Sequence, residues 1–377
     1  MIDVLFKVPQ IVKGEVDIPI IHDTQPYCIV FTLLTEYHGT NLPTLTLNIH
    51  TQDEESIYLS HEYTVGESGK CVENEWRIPP MMYTGLKCMI HICVPDGETL
   101  HVLKCSARYE TVTNKPSSDV EFDAHLGFFG VAPENTMPAI KQAAVCGFDS
   151  CIVVPKLTKD GIFVCIHDDT INRRARDQDG NPPEIPMNVC DMTYEELLQW
   201  DFGCYKSSIF KGTKICKLED FFRICSEYGM KPIFSVHPDF NKEEWLRIRR
   251  MLEKYALLKC FKVKSRSIKV LKNIYQVFGN DIDSYILWSF KYSDELISQL
   301  KELPLELDKV HGIIEIVERL NEPIITKEIV NEIKAAGFKA SAISCWEHKT
   351  GEYYKRLIDC GVSEFTEDYH CSFGLNW

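Results

Sequence analysis

The hydrophobic rhythm of the chain changes once. Up to about residue 115 the apolar positions come in strand-length runs: PYCIVFTLLTEY, TLTLNIHT, SIYLSHEYTV, KCMIHICV and LHVLKCSARYETV. Clusters of Gly, Asn, Asp and Pro separate them. No helical period interrupts these runs. Successive strands without helices between them predict an all-β sandwich or jelly roll over residues 1–115. The stretch TNKPSSDVEFD, with its Pro and two Ser, then reads as a linker.

Beyond residue 120 the pattern alternates. Short apolar runs predict strands at FDAHLG, DSCIVVP, PIFSVH, FKVKS, YILWSF, GIIEIV, FKASAIS and SEFTED. Between them, ENTMPAIKQAAVCG, LEDFFRICSEYG, KEEWLRIRRMLEKY, KVLKNIYQVFG, SDELISQLKEL, TKEIVNEIKAAG and EYYKRLIDCG carry apolar residues at helical spacing. Several of these close on Gly, the residue expected just past a helix C-terminus. Eight strand-centred units in residues 121–377 match a (β/α)8 TIM barrel in number and length. An open doubly wound sheet is the alternative, but no glycine-rich dinucleotide fingerprint follows the first strand.

Composition narrows the partners. A chain of 377 residues exceeds one ordinary core, which agrees with two domains. Lys and Arg number 41 against 55 Asp and Glu, a formal net charge of −14, so a nucleic-acid backbone or an anionic membrane surface is repelled on average. A local basic pocket remains compatible with that balance. The stretch MIDVLFKVPQIVKGEVD lacks the basic, apolar and small-residue regions of a secretory signal, and no apolar run reaches membrane-spanning length. A cytoplasmic location without membrane insertion is therefore expected. Among the sixteen cysteines, Cys88, Cys93, Cys151, Cys165, Cys225 and Cys345 sit inside apolar runs, and no Cys-x-x-Cys occurs. They read as reduced small hydrophobes.

In a TIM barrel, chemistry sits at the strand C-termini and the loops after them. His125 ends the first predicted strand. The second unit adds a hairpin, with CIVVPKLT and IFVCIH flanking Asp160-Gly161, a two-residue turn signal. That turn pairs Lys159 with Ile162, Lys156 with Cys165 and Val154 with His167. Side chains alternate along a strand, so His167 faces Val154 on the side shared by Ile152 and Lys156. Two imidazoles at one barrel rim suit acid–base work on a phosphate, because imidazole titrates near neutrality.

Several motifs now resemble one family. His125-x-Gly127, Ala132-Pro133-Glu134-Asn135-Thr136, Leu157-Thr158-Lys159-Asp160-Gly161 and His167-Asp168-x-Thr170-x-x-Arg173 are similar to the signature of glycerophosphodiester phosphodiesterases. Asp191-Met-Thr-x-Glu195-x-Leu197, Ser344-Cys-Trp346 and Gly361-Val-x-x-Phe365-Thr366-Glu367-Asp368 continue it in order through residues 121–377. The resemblance implies hydrolysis of a glycerophosphodiester by two histidines, here His125 and His167, aided by calcium or magnesium. The positions of its metal ligands hold Ile152, Val154 and Ser235, the position of a family lysine holds His237, and Leu126 stands where an arginine normally follows the first histidine. A hard cation needs oxygen ligands, usually including carboxylates, so no metal cofactor is expected.

Three functional expectations follow. In the first, the barrel binds a phosphorylated or polyol ligand without metal-dependent hydrolysis. In the second, His125 and His167 act on a phosphodiester without metal, by hydrolysis or internal cyclisation. Lys156, helped by His237 and Arg173, then supplies the positive charge that binds phosphate. The third, ordinary metal-dependent hydrolysis, needs acids from loops the sequence does not identify. Trp346 is a candidate wall for the alcohol moiety, and Asp168 reads as a turn or capping acid, since neighbours on a strand point opposite ways. The N-terminal domain reads as a structural or homodimerisation module, with a small carbohydrate-binding module as the alternative.

Overall fold

The computed structural model describes residues 10–20, 28–41, 43–51, 57–64, 68–78, 86–110, 119–237, 240–319, 323–343 and 351–368. Residues 113–118 of the expected linker (113–123) and Trp346 lie outside them, and the linker's last residues, 121–123, belong instead to a strand of the second unit. Two compact units divide between residues 114 and 115.

Among its described residues the first unit is all β. Its strands are β1 (Gln10–Val12), β2 (Glu15–Ile20), β3 (Cys28–His38), β4 (Thr44–Thr51), β5 (Ile57–Thr64), β6 (Cys71–Ile78), β7 (Leu86–Cys93) and β8 (Thr99–Glu110). They form two antiparallel four-stranded sheets, ordered β1-β8-β3-β6 and β2-β7-β4-β5. Alternation along β3 buries Phe31, Leu33 and Tyr37, while Ile18, Leu45, Ile90 and Ile92 are buried from the second sheet. The sandwich core is thus made by period-two patterning. Strand β6, CVENEWRI, escapes a hydrophobic reading because it lies at a sheet edge and carries Glu73, Glu75 and Arg77, charges that suit an edge strand.

The second unit is a TIM barrel. Its strands are β9 (Glu121–Ala124), β10 (Ser150–Val153), then β11 (Pro155–Leu157), β12 (Phe163–Cys165) and β13 (Cys216–Lys217), then β14 (Lys231–Ser235), β15 (Lys262–Ser265), β16 (Ser284–Ser289), β17 (His311–Val317), β18 (Lys339–Ile343) and β19 (Glu364–Glu367). Eight of them close in the order β10-β14-β15-β16-β17-β18-β19-β9, every pair parallel. The helices are α1 (Met137–Val145), α2 (Tyr194–Leu197), α3 (Leu218–Tyr228), α4 (Lys242–Lys254), α5 (Ile268–Phe278), α6 (Asp294–Leu300), α7 (Lys327–Ala335) and α8 (Gly351–Cys360). Helix α3 shows how the sequence shapes them: Leu218, Phe221, Phe222 and Cys225 bury one face, and Gly229, left-handed at φ 68°, ends it. No helix among the described residues is long and apolar enough to cross a membrane.

Strands β11, β12 and β13 form a small sheet outside the barrel. Its register corrects the expected hairpin by one residue: Pro155 pairs with Cys165, Lys156 with Val164 and Leu157 with Phe163. The turn is Lys159-Asp160-Gly161, three residues rather than two. Thr158 N–H donates to Ile162 O (2.9 Å), Gly161 N–H donates to Thr158 O (2.9 Å), and Gly161 takes φ 77°. Contacts from elsewhere in the chain hold this form, since Lys159 N–H donates to Met192 O (2.9 Å) and Tyr194 N–H to Asp160 Oδ1 (3.0 Å).

Inside the barrel, near the N-terminal ends of the strands, Lys262 is fully buried. Its ammonium lies 2.6 Å from Glu121 Oε2 and 3.1 Å from Glu364 Oε2. Burial, opposed by Lys262 and reinforced by Glu364 and Glu121, lifts the nearby Asp123 carboxyl to about 7. Removing one partner of a buried ion pair strands the others, so Lys262→Met is expected to cost about 3–5 kcal/mol. Urea unfolding at neutral pH measures it, and a loss below about 1 kcal/mol, the range of an exposed pair, would show that the cluster is well solvated.

Candidate functional site

A cavity of about 970 Å³ opens where the barrel strands end, lined by residues that follow or finish β9, β10, β14, β15, β16, β17 and β18. His125 comes directly after β9. Its N–H donates to Glu367 O (2.9 Å), and its ring Nδ1 lies 2.8 Å from Asp368 Oδ1. The next residue, Leu126, is buried with φ 55°, an unfavourable backbone for a branched side chain, and packs on Phe129 and Val154. Asn135 braces this loop: its N–H donates to Leu126 O (2.7 Å) and its Oδ1 accepts from Val154 N–H (3.0 Å). The Ala-Pro-Glu-Asn-Thr stretch thus ties the first histidine to the second strand unit.

His167 follows β12 and lines the same cavity. Its Nδ1 lies 2.8 Å from Asp168 Oδ1. This corrects the reading of Asp168 as a turn acid: the chain has left the extended strand at this point, so neighbouring side chains are free to meet. Arg173 donates to both Asp168 oxygens, from Nε (2.5 Å) and its terminal nitrogen (2.8 Å), and also reaches Glu134 Oε1 at 3.0 Å. It therefore stands behind His167 and not on the cavity wall. Against the desolvation that burial brings, the hydrogen bonds from His167 and Arg173 hold the Asp168 carboxyl well below the usual range. Each histidine thus has a carboxylate on Nδ1, which favours the Nδ1–H tautomer and leaves Nε2 as the basic nitrogen.

Ile152, Val154 and Lys156 all line the cavity. Ile152 packs with Ile233, Ile286 and Ile313 in the barrel interior. Lys156 is buried, with Nζ 2.5 Å from Oδ1 of the exposed Asp169. Ser235 Oγ and His237 Nε2 are 3.1 Å apart, and the His237 ring lies 6.2 Å from that of His167 and edge-on to Trp288. His237 is exposed at the cavity, and partial desolvation by the wall, then the charges of His167, Lys156, Lys264 and Arg266, push it down to about 4.

Other residues of the wall carry no motif. Lys264 is buried against Glu315 at 2.5 Å, and Arg266 lies over the rings of Trp288 (5.3 Å) and Phe290 (4.6 Å). The signal for Lys264 was available in FKVKS, where two lysines alternate through a strand that is otherwise core. Nothing local marks Arg266 or Trp288. Among the described residues lining the cavity, four cations face three carboxylates. Two of those acids, Asp168 and Glu318, are engaged by Arg173 and Arg356 from outside the wall. Two of the four cations, Lys156 and Lys264, are in turn paired with Asp169 and Glu315, so a chain of strongly negative net charge keeps cations at this wall, half of them in ion pairs.

Residues 125–369 match the model of the glycerophosphoryl diester phosphodiesterase family. The chain is similar to a glycerophosphodiester phosphodiesterase of Caldanaerobacter subterraneus, 34% identical over 104 residues that make 28% of this chain and 40% of that one. It is similar also to glycerophosphodiester phosphodiesterase 1 of Mus musculus, 37% identical over 112 residues, 28% of this chain and 31% of that one. The matched stretches thus span less than half of either relative's length. Among solved structures, an Oleispira antarctica phosphodiesterase in complex with the product sn-glycerol-3-phosphate shares the fold, with TM-score 0.55 and 22% identity, covering 66% of this chain and 93% of that one.

The lowered His237 value has a sign. Between its ordinary value of 6.5 and about 4, the unfolded chain takes up a proton that folded His237 refuses. This contribution to stability is therefore full above pH 6.5 and is lost as pH falls through that window. Chemical unfolding from pH 7.5 to 4 should show a slope that His237→Gln reduces, and an unchanged slope would place His237 in water.

Proposed function

The chain belongs to the glycerophosphoryl diester phosphodiesterase family, and on that premise we propose that its barrel mouth binds the phosphate of a phosphorylated polyol or glycerophosphodiester with protein cations in place of a metal ion. One observation carries this reading. Where the resemblance puts metal ligands, the wall holds Ile152 and Val154, while Lys156 and Lys264 line the same cavity. The donors that are there do not fit a hard divalent ion. Ser235 is bonded to His237, Asp169 to Lys156, and Asp168 to His167 and Arg173. Glu318 accepts from Ile324 and Ile325 N–H, each 2.9 Å, and from Arg356. Ammonium and guanidinium groups stabilise phosphate oxygens without such ligands.

The His125–Asp368 and His167–Asp168 contacts favour a second reading, turnover without metal. A hydroxyl next to the phosphodiester attacks phosphorus while one imidazole takes its proton. The P–O bond to the leaving alcohol breaks, and the other histidine, as imidazolium, protonates that oxygen. Water attacking in place of the hydroxyl gives hydrolysis by the same proton traffic. The carboxylate on each Nδ1 holds the ring in place and stabilises the imidazolium as it forms.

Calorimetric titration with sn-glycerol 3-phosphate tests the first reading. Binding should persist in excess chelator and weaken by about tenfold to a hundredfold in Lys156→Met, the loss of one charge-assisted hydrogen bond. Binding that disappears with chelator, or ignores Lys156→Met, would overturn it. For the second reading, product release from glycerophosphodiesters in chelator should vanish in His125→Ala and in His167→Ala. Activity that requires added metal would exclude it.

A further inference from the structure

The outward face of the first sheet carries a side-chain cluster unconnected with phosphate chemistry. Glu36 and His38 stand two residues apart on β3, so both leave the same face of the sheet. On adjacent β8, His101 is the register partner of Glu36, and partners across an antiparallel pair share a face. Three donors from two neighbouring strands thus converge. One ligand atom each from Glu36, His38 and His101 lies within 4.8 Å of the other two.

The spacing within the cluster has the scale of a metal site. His38 Nε2 is 3.4 Å from Glu36 Oε1, and the imidazole centroids are 4.7 Å apart with the rings tilted by 56°. Ligand atoms bound at about 2.0–2.1 Å to a tetrahedral ion stand roughly 3.3–3.4 Å apart, so the first pair is already at that separation. The remaining contraction is within reach of side chains that are partly exposed. Lys104, on the same face, is directed to Glu73 at 3.7 Å. Two imidazoles with a carboxylate are a common donor set for zinc.

We propose that Glu36, His38 and His101 form a binding site for a divalent transition metal of the zinc class. Water or a further donor completes the fourth position. Cys71, exposed on β6, is the register partner of Glu36 on its other side and shares the same face. Imidazole with carboxylate disfavours calcium and magnesium, which take oxygen ligands. The site is separate from the barrel, so its test does not depend on the reading of the barrel mouth.

The full-length protein, stripped with chelator under reducing conditions, is titrated with Zn²⁺ alone by calorimetry and with Co²⁺ by electronic absorption. Wild type should bind with the strong visible bands of tetrahedral cobalt. His38→Ala and His101→Ala should each weaken binding by more than about tenfold, since even loss of an outer-shell partner costs that much. Should His101→Ala not fold, the exposed His38→Ala alone decides. Zinc should also raise the unfolding temperature of wild type but not of His38→Ala. Binding of equal affinity in wild type and His38→Ala would assign the metal to the chain's cysteines and overturn the proposal, as would octahedral cobalt spectra or no binding at all.

Discussion

The contact between His125 and Asp368 joins groups 243 positions apart, and it exists only because the last barrel strand closes on the first. The β19–β9 pairing brings Glu367 O to the His125 N–H, and the next residue along places a carboxylate on the imidazole. At the opposite end, the same pairing sets Glu364 beside Glu121, where Lys262 is buried between them. Closure has a large entropy cost in so long a loop, and what offsets it is the packing of a complete ring of strands. The orientation of the first histidine and the neutralisation of the barrel floor therefore depend on one event.

Charge inside this barrel follows a common rule at both ends. Lys262 and Lys264 leave the same strand on the inner side, two residues apart, and neither is buried alone: the first meets Glu121 and Glu364, the second Glu315. A lone ammonium at such depth would lose its charge or its place. Pairing lets cations persist beside an apolar layer of isoleucines, and at the cavity it holds Lys156 against Asp169 and Lys264 against Glu315. Ile152 and Val154 are buried in the same wall and give it apolar surface beside those cations.

The small sheet of β11, β12 and β13 sets the second histidine. Its turn is held by Met192 and Tyr194, and Arg173 fastens Asp168 to Glu134 of the loop after β9. His125 and His167 thus come from different strand units tied by one brace, in which Asn135 bonds to Leu126 and Val154 while Glu134 accepts from Arg173, the residue that holds Asp168. The Pro-Glu-Asn-Thr stretch, which opens a helix, thus also braces the loop that carries His125.

Much of this protein was legible in the order of its residues. Period-two runs, helical spacing and closing glycines set the change from strands to an alternating barrel near residue 120, because side-chain alternation is a property of local backbone geometry. The placing of His125, His167, Ile152, Val154 and Ser235 at strand ends, where they line one cavity, was equally local. Tertiary structure decided the rest. The hairpin took a three-residue turn because Lys159 and Asp160 bond to Met192 and Tyr194, so the register moved by one. Asp368 and His125 meet only through barrel closure. Lys264, Arg266 and Trp288 share a wall because neighbouring strands end together, and Glu36, His38 and His101 converge because one strand register aligns them. In each case the deciding contact joins residues far apart in the chain, and no periodicity within a segment records it.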